Sequence, residues 1–576
     1  MAVIPAIGDM VNAFTGNFNG QNNRIENFRI NCPSVSADGF GLFRNTQGGV
    51  FSGLTINKGV VECDKDSYTN NKLGLLVGAA SNNKFKNIRA FGHISGDQFV
   101  GGIVGYAANN STFEDVHFEG GMNGSNSVGG LAGFISGTSN QDFIIRSSFS
   151  GEIGSRCGGT PCDSIVGGLV GDAYYSASVG TIKESTAKLK RLEGSKIIGG
   201  LAGRTNLINI NDSIVTGVMS SNAMTDGTTH KLKMGGLVGE GELGQFNRNV
   251  IVMMRKSNRK TSDTSEGVVL GFVTSTPPIC PSSTTRPGRN FSVGVSVGSL
   301  ACNTDSATTI AQITDSTFYF TTSIASDYPL WSWPANDQGS GRDIPRLAWE
   351  VTREATVPYL KKECSGLYST PAGSGTQADP YSICSASQFA SMGIGYYYKL
   401  KKNLIFAGAS VAQKSAGVYY LDGDGYALID FQISVVSSGN NGLFKELSAQ
   451  SEIKNLAIIF GKLSTADNYT VAGNTSIGLL AGSNYGLIEN VVTSDSESSF
   501  TGLDFFTNNV SFISGGLVGT NQIGGVISNS ELDNSVLILR PHITVSSLIV
   551  GGIAGSNAGQ ITIVKSHGTV ERSMGQ

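Results

Sequence analysis

Gly101-Gly-Ile-Val-Gly105, Gly129-Gly-Leu-Ala-Gly133 and Gly167-Gly-Leu-Val-Gly171 repeat one pattern: an apolar or small residue pair held between glycines. The same pattern stands at Gly74-Leu-Leu-Val-Gly78, Gly199-Gly-Leu-Ala-Gly203 and Gly235-Gly-Leu-Val-Gly239, and weaker copies at 267–271 and 294–298. A second series follows at 478–482, 515–519 and 551–555. Closing glycines lie 27 to 38 residues apart, so a constant unit carries loops of variable length. Between the motifs lie β-branched, aromatic and alternating segments, among them Lys84-Phe-Lys-Asn-Ile-Arg-Ala-Phe91, Thr112-Phe-Glu-Asp-Val-His-Phe118 and Glu452-Ile-Lys-Asn-Leu-Ala-Ile-Ile459. A period near two indicates strands. The alternation of Phe113, Asp115 and His117 against Glu114, Val116 and Phe118 is imperfect, which leaves the buried face of that strand open.

A single coil of this kind cannot bury its own apolar face, whereas stacked coils pair every strand above and below and build a continuous core. The expected fold is therefore all-β, a parallel β-solenoid in two tandem modules. Right-handed coils follow from the usual twist and crossover sense. Propeller blades would need longer repeats with signatures that this sequence lacks. The glycines are expected to supply positive φ at a corner and close backbone approach. A β-branched residue at the second glycine should disturb stacking.

Composition agrees. Glycine is 77 of 576 residues and charged residues are 15%, against usual values of about 7% and about 25%. A 39% apolar fraction is enough for a packed interior. The net charge of −3 gives no support for nucleic-acid or anionic-membrane partners. No apolar run approaches the length of a membrane span. Eight cysteines fall in sequence-neighbouring pairs: Cys32 and Cys63, Cys157 and Cys162, Cys280 and Cys302, Cys364 and Cys384. They read as up to four disulfides of an exported chain, or else as buried thiols of a cytosolic one. No zinc spacing accompanies them.

The repeats break between about 325 and 390, which sets the expected domains: a first solenoid module at 1–350, a junction and the start of the next module at 351–385, and a second module at 386–576. Ile344-Pro-Arg-Leu-Ala-Trp349 reads as the end of one array and Gly373-Ser-Gly-Thr-Gln-Ala-Asp-Pro-Tyr-Ser-Ile383 as the start of another. With Phe14-Thr-Gly-Asn-Phe-Asn-Gly20, Leu421-Asp-Gly-Asp-Gly425, and the steps Gly41-Leu-Phe43 and Gly442-Leu-Phe444, these landmarks resemble the GLUG-repeat family of large bacterial surface proteins. The resemblance spans nearly the whole chain. It implies a secreted or cell-surface, adhesin-like repeat region of a bacterium, cut from a longer protein, whose first module lacks its opening segment and whose second lacks its closing one.

Candidates for chemistry are few. Asp422 and Asp424 could hold calcium, but neither the EF-hand nor the calcium-binding nonapeptide pattern is present, and a plain turn explains them. Glu240-Gly-Glu242 reads as solvated loop charge. No nucleophile elbow, metalloprotease motif or phosphate loop is found, so no catalytic residue, metal or cofactor is expected. Trp331, Trp333, Trp349, Tyr396, Tyr397 and Tyr398 suit either stacking on sugar rings or capping a module. Arg255 and Lys256, like Lys188-Leu-Lys-Arg191, suit an anionic glycan or a solvated loop. Recognition is expected from the loops at 123–127, 155–164, 220–231 and 274–289. The leading reading is a non-catalytic adhesin that takes a glycan or a surface protein. A polysaccharide-degrading β-helix enzyme and a structural spacer are the alternatives.

Overall fold

The structure is a computed structural model that describes residues 2–3, 7–9, 11–32, 39–63, 71–155, 164–221, 232–256, 264–267, 270–273, 290–293, 304–306, 331–332, 346–347, 349, 371–459, 461–465, 470–494, 496–505, 511–533, 536–541, 548–566 and 569–572. The chain forms two compact units. The first comprises Met1–Thr308, Thr317–Ser332 and Arg346–Trp349, the second the remainder. Each is a parallel β-solenoid. The first has one sixteen-stranded and two eight-stranded sheets, the second one sixteen-stranded and two four-stranded sheets.

One coil shows how the sequence is used. Strand Phe99–Gly101 enters the glycine bend, Val104–Ala108 leaves it, and Thr112–Gly124 forms the long side. Each strand pairs in parallel with its counterparts one coil up and one coil down, glycine against glycine, as in Gly101↔Gly129 and Gly129↔Gly167. Like residues therefore stack inside the core. The Phe51, Phe85 and Phe113 rings lie 5.3 and 5.0 Å apart at 21° and 22°.

The imperfect alternation of the long strand has a cause. Asp115 sits at φ +55°, and this left-handed residue shifts the phase by one. Phe113, Val116 and Phe118 consequently all face inward, none more than 1% exposed. The same conformation recurs one coil after another at Asn87, Arg146, Glu184, Asp212 and Arg248, and in the second unit at Asp424, Asn455, Asn490 and Asn529.

The motif glycines, by contrast, do not adopt positive φ; the expectation that they would is corrected. Each is required by close approach, and each for a different neighbour. A Cβ on the first, Gly129, would overlap the Ala132 carbonyl across its own bend. On the second, Gly130, it would overlap the Gly168 carbonyl of the next coil and the Phe149 ring. On the third, Gly133, it would lie 2.6 Å from the Val100 nitrogen of the preceding coil.

The exceptions prove the cause. Pairing of Phe43 with Val77 and of Asn45 with Ala79 puts Arg44 in the slot of the closing glycine Gly78. In the second unit Lys445 stands opposite Gly482 in the same way, between the Phe444–Ala481 and Glu446–Ser483 pairs. The sheets against which that side chain would collide begin at Gly39–Phe40 and Gly439–Asn441, with no described strand before them. Gly-Leu-Phe is thus the motif of the coil at which the short entry sheet begins, although strands of the long sheet, such as Phe28–Asn31, precede it.

Gly130→Val should destabilise the first unit by about 3 kcal/mol or more, whereas Arg44→Gly should change its stability by less than about 1 kcal/mol. Denaturant unfolding followed by hydrogen exchange of the Thr112–Gly124 strand reads both.

Candidate functional site

Uniform coils make the variable segments easy to place. In the first unit the long strands end at Asn31, Glu62, Ser95, Gly124, Ser155, Gly194, Ser221 and Lys256. The next coils begin at Gly39, Lys72, Phe99, Ser127, Ile165, Ile197, Leu232 and Thr264. Every one of these connections leaves and re-enters at the same corner. Some are two or three residues, as at 125–126, 195–196 and 96–98; others, at 63–71, 156–164 and 222–231, are much longer. Three of the four loops expected to carry recognition, 123–127, 155–164 and 220–231, span these connections, with 156–163 and 222–231 outside the described residues. The fourth, 274–289, lies outside the described residues, in sequence between Leu270–Val273 and Asn290–Val293.

The disulfide Cys32–Cys63 is formed at the root of this corner, with Cα atoms 4.9 Å apart. Cys32 N–H donates to the Glu62 carbonyl and Cys63 N–H to the Ser95 carbonyl, so the bond joins two adjacent coils where their loops depart. Cys384 is disulfide-bonded as well. Cys157, Cys162, Cys280, Cys302 and Cys364 lie outside the described residues.

The acidic pair forms a turn. Asp422 Oδ1 accepts the Asp424 N–H at 2.9 Å and the Asn455 Nδ2–H at 2.9 Å, and Asn490 Nδ2–H donates in turn to Asn455 Oδ1 at 2.9 Å. Asp424 pairs with Lys399 at 3.2 Å. The two carboxylates are the first rung of a ladder along the left-handed corner. In the first unit the same corner is ionic: Arg146 meets Glu114 and Asp115, and Arg248 grips Asp212 through two 2.6 Å bonds. Among the described residues no group of three or more His, Cys, Asp or Glu could hold a metal ion.

Other candidates are dispersed. Glu240 corrects the reading as loop charge. It lies in strand Val238–Glu242, 7% exposed, and pairs with Lys233 at 2.7 Å. Lys188-Leu-Lys-Arg191 is likewise part of strand Thr186–Gly194 rather than a loop. Arg255 and Lys256 close strand Val250–Lys256, their side chains outside the described set. Trp331 pairs through its main chain with Leu347, and Trp333 falls outside the described residues. Tyr397 stacks flat on Tyr420 at 4.0 Å and 7°, while Tyr396 is 48% exposed and tilts against Tyr381 at 5.6 Å.

Sequence reasoning missed Lys414. It is 7% exposed, its ammonium donates to the Ala390 carbonyl at the end of the short helix Ala386–Ala390, and it sits 5.5 Å over the Phe389 ring. The helix itself was not expected. Its signal is Ser385-x-x-Gln388: the Ser385 hydroxyl accepts the Gln388 N–H at 3.2 Å, and Gln388 Oε1 accepts the Cys384 N–H at 2.7 Å, a close variant of the capping box. Burial pulls the Lys414 ammonium down to about 8.

Fold and corner together define a parallel β-solenoid repeat protein with graded loops on one edge. No family model matches the chain. It is similar to halomucin of Haloquadratum walsbyi, with 24% identity over 208 residues that cover 32% of this chain and 2% of that protein. Disulfides persist in oxidising compartments, which points to an extracellular or surface location, and the likeness to halomucin agrees with it. No helix among the described residues is long and apolar enough to cross a membrane.

Two outcomes are expected. The protonated Lys414 is disfavoured in the fold, so the second unit should gain stability as pH rises from about 8 towards the unfolded value of 10.5, by on the order of 1–3 kcal/mol. Lys414→Met should abolish that slope in hydrogen exchange of Phe444–Leu447. Asp422→Ala should cost the second unit about 1–2 kcal/mol while a calcium chelator leaves wild-type unfolding unchanged; a chelator-induced drop would show that the pair holds a cation.

Proposed function

We propose that this chain is a non-catalytic extracellular repeat region of a bacterial surface adhesin, akin to the GLUG-repeat proteins, and that it takes a glycan or a surface protein through loops on a rigid solenoid. The observation that carries the reading is the corner after each long strand. Connections as short as 125–126 and as long as 222–231 depart from it while the coils keep their register, and loops carry recognition when a scaffold fixes their ends. The Cys32–Cys63 bond at the root of that corner supports it by restraining two loop bases at once. The engagement of Asp422 and Asp424 in a hydrogen-bonded ladder favours binding over hydrolysis, which needs two facing acids free to act.

The test is retention of the non-reduced protein on immobilised glycans and envelope proteins, with released sugar read in parallel. Retention without release is expected, together with its loss when 222–231 is replaced by the two-residue Ser195-Lys196 connection. Released sugar would make the protein an enzyme, and retention indifferent to shortening each long loop would move the site elsewhere. No retention on any surface would leave a spacer.

A further inference from the structure

The long sheet of the first unit carries a covered strip on its outer side. Val215 and Ile251 belong to the core, so the preceding residues Ile214 and Val250 point away from it, yet they are 2% and 0% exposed. Strand register places them in one column with His117, Ser148 and Thr186, running His117↔Ser148↔Thr186↔Ile214↔Val250 across five successive coils.

The end of the first unit reaches this column. Trp331–Ser332 and Arg346–Leu347 pair antiparallel, against the parallel rule of the coils, and Leu347 is 0% exposed without belonging to the solenoid core. Two residues on, the Trp349 indole N–H donates to the Glu184 carbonyl at 2.8 Å, across 165 residues of sequence. Its ring centroid lies 5.4 Å from that of His117, inclined by 40°. His117 and Glu184 are two coils apart, with the Ser148 coil between them.

We infer that the Trp331–Ser332 and Arg346–Leu347 pair with Trp349 forms a strap that clamps coils of the first solenoid from outside, with Trp349 as the clasp. Coils of a solenoid otherwise touch only their neighbours, so local fraying is opposed by two interfaces alone. A side chain that binds two coils separated by a third adds a next-nearest-neighbour tie. The middle coil then cannot open without breaking the clasp.

Trp349→Ala and Trp349→Phe in the full chain, followed by hydrogen exchange at neutral pH, test this. In Trp349→Ala the amides of Thr112–Gly124, Ser148–Ser155 and Thr186–Gly194 should exchange at least tenfold faster, those of Val50–Glu62 and of Glu452–Ile459 unchanged. Trp349→Phe, which keeps a ring against His117 but loses the donor to Glu184, should fall between. Unchanged exchange in Trp349→Ala, or acceleration at Val50–Glu62 as large as at the three clasped strands, would overturn the strap.

Discussion

The structure depends on a steric prohibition. Successive coils approach so closely at the glycine bend that a single Cβ would strike backbone in its own bend, in the coil above or in the coil below. Close approach there lets Leu131, Leu169 and Leu201 turn into the interior, each 0% exposed, and keeps neighbouring strands within hydrogen-bonding distance along the stack. Strand spacing in a sheet is fixed at about 4.8 Å. A bend that could not close to that spacing would break the ladders on all three sides at once.

That constraint imposes a division of labour around the coil. The bend is invariant in geometry and dry. The long strand carries the apolar ladder, interrupted by one left-handed residue that is satisfied by side-chain hydrogen bonds or ion pairs to adjacent coils. Just inside it, buried hydroxyls hand hydrogen bonds from coil to coil: Val116 N–H to Ser147, Ser147 N–H to Ser185, and Ser185 N–H to Ser213. The corner after the long strand is released from these demands, and segment lengths vary there, as they do between Leu270–Val273 and Asn290–Val293.

Much of this was legible in the sequence. The repeated glycines gave the solenoid, because their cause is local and acts once per coil. The phase of the strands was not legible, since Asp115 looks like any polar alternate until its φ is known. Glu240 was misread for a related reason: its partner Lys233 lies across the bend, a relation that spacing alone does not reveal. Lys414 escaped because nothing in a sequence marks a lysine as buried, and Trp349, read as a stacking or capping ring, could not be given its acceptor because that is a main-chain carbonyl of a distant coil.

Arg44 and Lys445 occupy a slot that stacking elsewhere forbids to any side chain, and among the described residues no short strand of that sheet stands beneath them. A bulky cation where the rhythm calls for glycine is therefore punctuation. It marks, from within the repeat, where the short entry sheet begins, while strands of the long sheet continue past it. The reach of one sheet, and not of the whole stack, is thus written into the grammar of the repeat.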